Sequence, residues 1–262
     1  MSFSRVIPVL LLRRKGLVKT VRFREPSYVG DPINTVRIFN EKEVDELVFL
    51  DITCTGDGGE PQFDLIEQIS RECFMPFAYG GGLRTLEQIQ QVLARGAEKA
   101  LINTAAFTTP ELVTQAAERF GSQSIVVSID VQQRRQGLLG GKRDEVIVGC
   151  GQQRTRSDPV DYARQMVERG AGELLLTSID RDGTFTGYDL DLVRRVTDAV
   201  DVPVVACGGA GNLQHMVEAI DAGATGAGSG SVFVYQGAHR SVLINYPERA
   251  ALDELFGHET MV

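Results

Sequence analysis

The sequence predicts an α/β protein, a single (βα)8 TIM barrel assembled from two similar (βα)4 halves. Eight short apolar runs alternate with amphipathic stretches along the 262 residues. That count at that length favours a closed parallel ring over an open doubly wound sheet, whose strands number fewer. Three markers then recur at one spacing: Glu46 of ELVFLDIT with Glu173 of ELLLTSID, Pro76 of MPFAYGGG with Pro203 of VPVVACGG, and Gly96 with Gly223, each pair 127 residues apart. A constant offset near half the chain length is the mark of an internal repeat. The halves are expected at about 1–123 and 124–240, inside one domain covering 1–262.

In order, the strands are expected at 6–12, 47–52, 77–79, 100–102, 124–129, 174–178, 202–206 and 224–229, the last weak and rich in small residues. Helix starts are read at Asn40 with Glu43 three residues on, at Thr85 with Gln88, and at Thr109 followed by Pro110, the side-chain capping and N-terminal proline patterns that satisfy free N–H groups. The 127-residue offset does not reach the first strand of each half, and the glycine-rich, charged stretch 131–158 accounts for the difference. It reads as a hairpin-bearing loop after the fifth strand.

Composition excludes several classes. At 43% apolar and 24% charged the chain has enough hydrocarbon for one large core. A formal charge of −8 is the wrong sign for a chain whose main partner is nucleic acid or an anionic membrane. The longest apolar run, 6–12, is too short to span a bilayer. Cys54, Cys73, Cys150 and Cys207 form no CxxC pair, so the expectation is a cytoplasmic protein with no metal site.

Ligands of such barrels sit at the C-terminal ends of the strands. Gly80, Gly81 and Gly82 end the third run, and Gly208 and Gly209 end the seventh. Without Cβ atoms their N–H groups can approach an anion. Each cluster is followed by a neighbouring strand end with small donors, Asn103 and Thr104 in one half, Gly230 and Ser231 in the other, and the repeat carries Thr104 onto Ser231. Two such clusters suit a ligand with a phosphate at each end; turn glycine alone is the plainer reading, but two clusters related by the repeat favour phosphate binding. Asp51, Asp130, Asp180 and Asp182 are the carboxylates at the mouth, each either an acid-base group or a loop holder. His215, His239 and His258 form no cluster and read as surface residues. Arg5, Glu46, Lys99 and Glu173 precede apolar runs at the opposite, N-terminal face; such alternating charges could form a salt-bridged ring, but by pattern alone solvated strand ends are the favoured reading.

The motifs RVIPVLLL, ELVFLDIT, YGGG, INTAA, FGSQSIVVSID, GAGELLLTSIDRDGT and ACGGAGN, together reaching to about residue 234, closely resemble the cyclase subunit of imidazole glycerol phosphate synthase. The resemblance implies a barrel that docks a glutaminase on its N-terminal face and conducts ammonia through its interior, with no organic cofactor. It makes Arg5, Glu46, Lys99 and Glu173 the charged gate of that passage. Lys19, Gly82, Asn103, Thr104, Asp182, Gly183, Gly209 and Ser231 match the family's grips on a phosphorylated ligand.

Two departures qualify the resemblance. The family places catalytic aspartates on strands one and five; the second is Asp130, whereas Leu11 stands at the first. No register slip supplies a substitute, because residues 1–24 contain no acidic side chain and the first is Glu25. Residues 235–262 diverge as well: RSVLINYP reads as extended, with 248–256 alone helical. Both changes are similar to divergent paralogues that serve a sugar amidotransferase in adding acetamidino groups to surface polysaccharides. The leading expectation is an accessory, ammonia-delivering barrel with that amidotransferase at its C-terminal face. The second is the histidine-pathway cyclase, a lyase working with Asp130 alone or with Glu25 drawn in. The third is a phosphate-binding barrel with neither activity.

Overall fold

A computed structural model describes residues 5–56, 58–135, 141–237 and 239–256; His258 and residues 136–140 fall outside this set. Eight parallel strands, Arg5–Arg13, Leu47–Asp51, Phe77–Gly80, Lys99–Ile102, Ile125–Arg135, Glu173–Ser178, Val204–Cys207 and Gly226–Ser229, pair in sequence order, and the last closes on the first through Arg5 opposite Gly226 and Pro8 opposite Ser229. The predicted (βα)8 barrel is the fold. Helices cover its outside, and alternate strand residues pack between the two layers, among them Leu10, Leu12, Leu47, Phe49 and Tyr79.

The two halves share backbone contacts. Pro76 and Pro203 each offer a carbonyl to the start of the preceding barrel strand, to Leu47 N at 3.1 Å and Leu174 N at 2.9 Å. Gly96 and Gly223 both sit at φ 103°, a left-handed conformation that side chains resist.

The first helix does not begin at Asn40. It spans Pro32–Glu41, capped by the Asp31 carboxylate on the N–H of Asn34, so Asn40 lies in its last turn. The Asn40 side chain instead clamps the neighbouring helix-to-strand connection, donating to the carbonyl of Glu72 at 2.6 Å and accepting from the N–H of Phe74 at 3.2 Å. Asp31 followed by Pro32 was the stronger start signal. The other starts lie within a residue of expectation: Thr85 caps Leu86–Ala94, and Pro110 directly precedes Glu111–Phe120.

Two excursions leave the C-terminal face. Gly16–Val21 and Arg24–Gly30 form an antiparallel hairpin on the end of the first strand. The fifth strand continues beyond the ring and pairs antiparallel with Lys142–Val148, which adds the short strand Gln153–Arg154. After the eighth strand a short hairpin, Tyr235–Gln236 with Ser241–Val242, leads to a helix at Arg249–Phe256. Between them Tyr246 packs on Phe39 and Phe233 and donates its hydroxyl to the carbonyl of Val6 at 2.9 Å, tying the C-terminal segment to the first strand.

Gly81 gives the fold a sharp test. Its φ is 123°, and a methyl group there would overlap the carbonyl oxygen of Asp51. Gly81→Ala is expected to lower the free energy of unfolding by at least about 2 kcal/mol, read as the shift of the urea midpoint.

Candidate functional site

Because strand side chains alternate between faces, every second residue of the ring points into the barrel, and these inward residues stack in layers. The lowest layer is charged. Arg5 pairs with Glu46 at 2.7 Å and with Glu173, and Lys99 reaches Glu46 at 2.8 Å and Glu173 at 2.7 Å. Each carboxylate bridges two cations, so the four residues are a closed ring and not the solvated strand ends that pattern alone favoured. Burial works against the charges on Arg5 and Lys99, but the two carboxylates outweigh it and hold both pKa values above their ordinary ones. Above this ring the interior is hydrocarbon, with Ile7, Val9, Val48, Leu101, Val126 and Leu175 in one cluster.

The upper layer opens into a cavity of about 920 Å³, counting space continuous with solvent, at the C-terminal mouth. Three aspartates line it. Asp51 is committed to its loop: it accepts from the N–H of Thr53 at 2.9 Å, the amide of Gln62 at 2.6 Å, the hydroxyl of Tyr79 at 3.2 Å and the thiol of Cys54 at 3.1 Å. Asp182 is neutralised by Lys19 at 2.7 Å and accepts from Thr20 Oγ1 at 3.1 Å, which latches the first hairpin onto the loop after the sixth strand. Asp180, outside the cavity lining, holds loops together by accepting from the N–H of Gln133 at 2.7 Å.

Asp130 differs from these. It is buried and accepts from the side-chain amide of Asn103 at 3.1 Å. Burial, and then the nearby charge of Asp182, push its pKa up to about 7, against the opposing effect of Asn103 and Ser128. A carboxyl group poised there can exchange a proton near neutral pH. Strand one lies across the ring from strand five, and its residue at the mouth is Leu11, half-buried and in register with Leu50. Glu25 is exposed on the outer hairpin and is not part of the cavity lining. Burial lifts the thiols of Cys54 and Cys207 to about 12, the carboxylates of Asp51 and Asp182 adding to it respectively, so neither is a thiolate at neutral pH.

The phosphate-grip candidates divide. Lys19, Asn103 and Asp182 line the cavity; Gly82, Thr104, Gly183, Gly209 and Ser231 stand beside it. The Thr104 hydroxyl donates to Asn103 Oδ1 at 3.3 Å and accepts from the N–H of Gly149 at 3.1 Å. Gly209, at φ 116°, packs against the Gly187 carbonyl, and Gly183, at φ 71°, against that of Thr20. Close backbone approach thus accounts for these glycines without a ligand. Ser231 is buried at the start of Ser231–Val234. His239 is exposed, but His215 is half-buried and accepts from the N–H of Gly211 at 3.1 Å, bracing the loop after the seventh strand. Among the described residues no group of three His, Cys, Asp or Glu is placed to hold a metal ion, and no helix is long and apolar enough to cross a membrane.

Sequence reading missed Thr20, Phe23, Ser128, Cys150 and Thr177, all of which line the cavity. Ser128 and Thr177 carried a signal: each lies two residues, one inward step, from a position already singled out or known to face in. Thr20 and Phe23 are placed by a hairpin whose fold over the mouth no local pattern announced.

Asp130 yields a stability prediction. A carboxyl whose folded pKa is raised binds its proton more tightly folded than unfolded, so its burial costs nothing below the unfolded value, and the cost grows as pH rises from about 4 through about 7. Asp130→Asn should therefore stabilise the protein relative to wild type by up to a few kcal/mol at pH 8, with the difference shrinking towards pH 5. Urea unfolding at the two pH values measures it.

The profile of one protein family, described as Histidine biosynthesis protein, matches residues 5–240. A protein of Pseudomonas aeruginosa described as "Putative imidazole glycerol phosphate synthase subunit hisF2" is 48% identical over 250 residues, covering 95% of this chain and 98% of its own length. One of Leptospira borgpetersenii, with the same description ending in HisF, is 43% identical over 96% of this chain and 98% of its own length. One of Vibrio vulnificus, described likewise as hisF3, is 48% identical over 93% of each chain.

Proposed function

The chain belongs to the family of histidine biosynthesis proteins, and from that premise we propose that it is an ammonia-delivering barrel subunit that has given up the ring-closing chemistry. In this reading a glutaminase docks on the N-terminal face. Ammonia passes the ring of Arg5, Glu46, Lys99 and Glu173, travels the hydrocarbon interior, and is handed at the mouth to a sugar amidotransferase that installs acetamidino groups on surface-polysaccharide precursors. The protein acts in the cytoplasm and needs no cofactor of its own.

The observation that carries this reading is Leu11, a hydrocarbon side chain at the mouth on the strand across the ring from Asp130. Inserting ammonia and closing an imidazole ring takes one group to donate a proton and another to accept one. Asp51 and Asp182 line the same cavity, but the first is saturated with donors and the second is paired with Lys19. One proton-exchanging carboxyl remains.

One observation favours the parent cyclase: Asp130 itself, held at about 7, the pKa an acid or base near neutral pH requires. In that second reading a bisphosphorylated substrate still binds at the mouth, where Lys19, Asn103 and Asp182 line the cavity. A single assay decides between the two. Given ammonium and the ribulosyl substrate, the purified chain is expected to turn over on the order of 10² to 10⁴ slower than a barrel with both aspartates, the usual cost of one missing acid or base. Leu11→Asp is expected to recover at least about 10² of that. Substantial turnover by the unmodified chain would overturn the delivery reading.

A further inference from the structure

The fifth strand does not stop at the mouth. Beyond Asp130 its hairpin places Arg134 directly opposite Arg143 and Arg135 directly opposite Lys142. Like charges directly opposite one another destabilise an antiparallel pair, and here two such pairs follow in succession. The hairpin's own carboxylates relieve them little: the charge of Arg134 acts on Glu145 less than Arg154 and the N–H of Arg156 do. Asp144 is taken by Arg195, and Glu145 binds Arg154 at 2.6 Å and the backbone N–H of Arg156 at 2.8 Å. Among the described residues none of the four cations has an ion pair, and Arg134 Nε is buried with no hydrogen-bond partner.

This hairpin is joined to the one on the first strand. Asp180 accepts from the N–H of Gln133 through its carboxylate and from Arg22 Nε, at 3.0 Å, through its carbonyl. Phe23 lies against Gly151, where a Cβ would come within 3.1 Å of the ring. Arg22 and Arg24, both exposed, with Glu25 exposed beside them, add two cations and one carboxylate to the joined hairpins, on a chain whose net charge is −8.

We propose that the joined hairpins are the docking surface for an acidic face of the protein that receives ammonia at the mouth. The identity of that partner rests on the delivery reading above; its chemistry rests on the hairpins. Successive residues of a strand point to opposite faces, so the two like-charged pairs cannot converge on one phosphate group. They fit a surface that straddles the hairpin. An acidic partner is repelled by the rest of this acidic chain and drawn to this rim, which selects the orientation that covers the cavity.

The test uses the full chain, with poly-L-glutamate as the acidic polypeptide and duplex DNA and phosphatidylglycerol vesicles as the competing polyanions. At about 0.15 M salt, where only close charge contacts survive screening, poly-L-glutamate is expected to bind. Lys142→Glu with Arg143→Glu, and separately Arg22→Glu with Arg24→Glu, should each weaken it at least tenfold, while Arg119→Glu on the barrel's outer helix leaves it unchanged. Lys142→Glu creates an opposite-charge pair with Arg135, so its unfolding midpoint should equal or exceed that of wild type. Unchanged poly-L-glutamate binding in both double variants overturns the proposal. So does binding of DNA or vesicles by wild type that the variants lose, which would assign the surface to that polyanion instead. None of these measurements involves ammonia or a glutaminase, so failure here leaves the delivery reading standing, and failure of that reading in the cyclase assay leaves the hairpin charge chemistry intact.

Discussion

The period-two alternation of side chains in a closed ring of eight parallel strands is the constraint on which the rest depends. It admits one inward residue per strand per layer, so a change at one strand position is a change at one height of the barrel. That is why charge, hydrocarbon and carboxylate occupy separate levels here: Lys99, Leu101 and Asn103 follow one another up the fourth strand, and Glu173, Leu175 and Thr177 up the sixth. It is also why Leu11 matters. The residue two steps above Val9 on the first strand has no choice of direction, and a leucine there faces the mouth.

The ionisable groups of the two ends are handled differently. At the N-terminal face two cations and two carboxylates share one ring in which each partner is used twice. Removing any one would strand a charge among partners already desolvated, which is costly. At the mouth the carboxylates outnumber the cations. Lys19 serves Asp182, neutral donors serve Asp51, and Asp130 is left in a buried position where the proton is the remaining counter-charge. Its raised pKa follows first from that burial and then from the nearby charge of Asp182.

Much of this was legible in the sequence. Strand starts came through within about two residues because parallel barrel strands are buried on both faces and read as unbroken apolar runs, whereas the fifth strand runs on to Arg135, six residues past its expected end at 129, because it pairs with Lys142–Val148 beyond the ring. The absence of any acid before Glu25 needed no coordinates. The illegible parts were those that depend on distant partners. Asn40 carries a cap residue's chemistry, yet the chain spends it on the turn at Glu72 and Phe74. The four charges of the lowest layer could be grouped at one face from their strand positions, but pattern alone favoured solvated ends, since nothing local states that Arg5 and Glu173, far apart in sequence, are in contact. Asp51, Asp180 and Asp182 were equivalent as letters. Their separation into saturated, loop-holding and salt-bridged groups comes from Gln62, Tyr79, Gln133 and Lys19, which the fold delivers from other segments.

The delivery reading proposed above is that the barrel conducts ammonia without consuming it. Its most direct test follows the nitrogen: glutamine labelled with ¹⁵N at the amide is supplied to the barrel together with its glutaminase and the acceptor amidotransferase, in an excess of unlabelled ammonium. With delivery through the barrel, the label appears in the acetamidino product well above its share of free ammonium. A product carrying the isotope ratio of the bulk solution would contradict it.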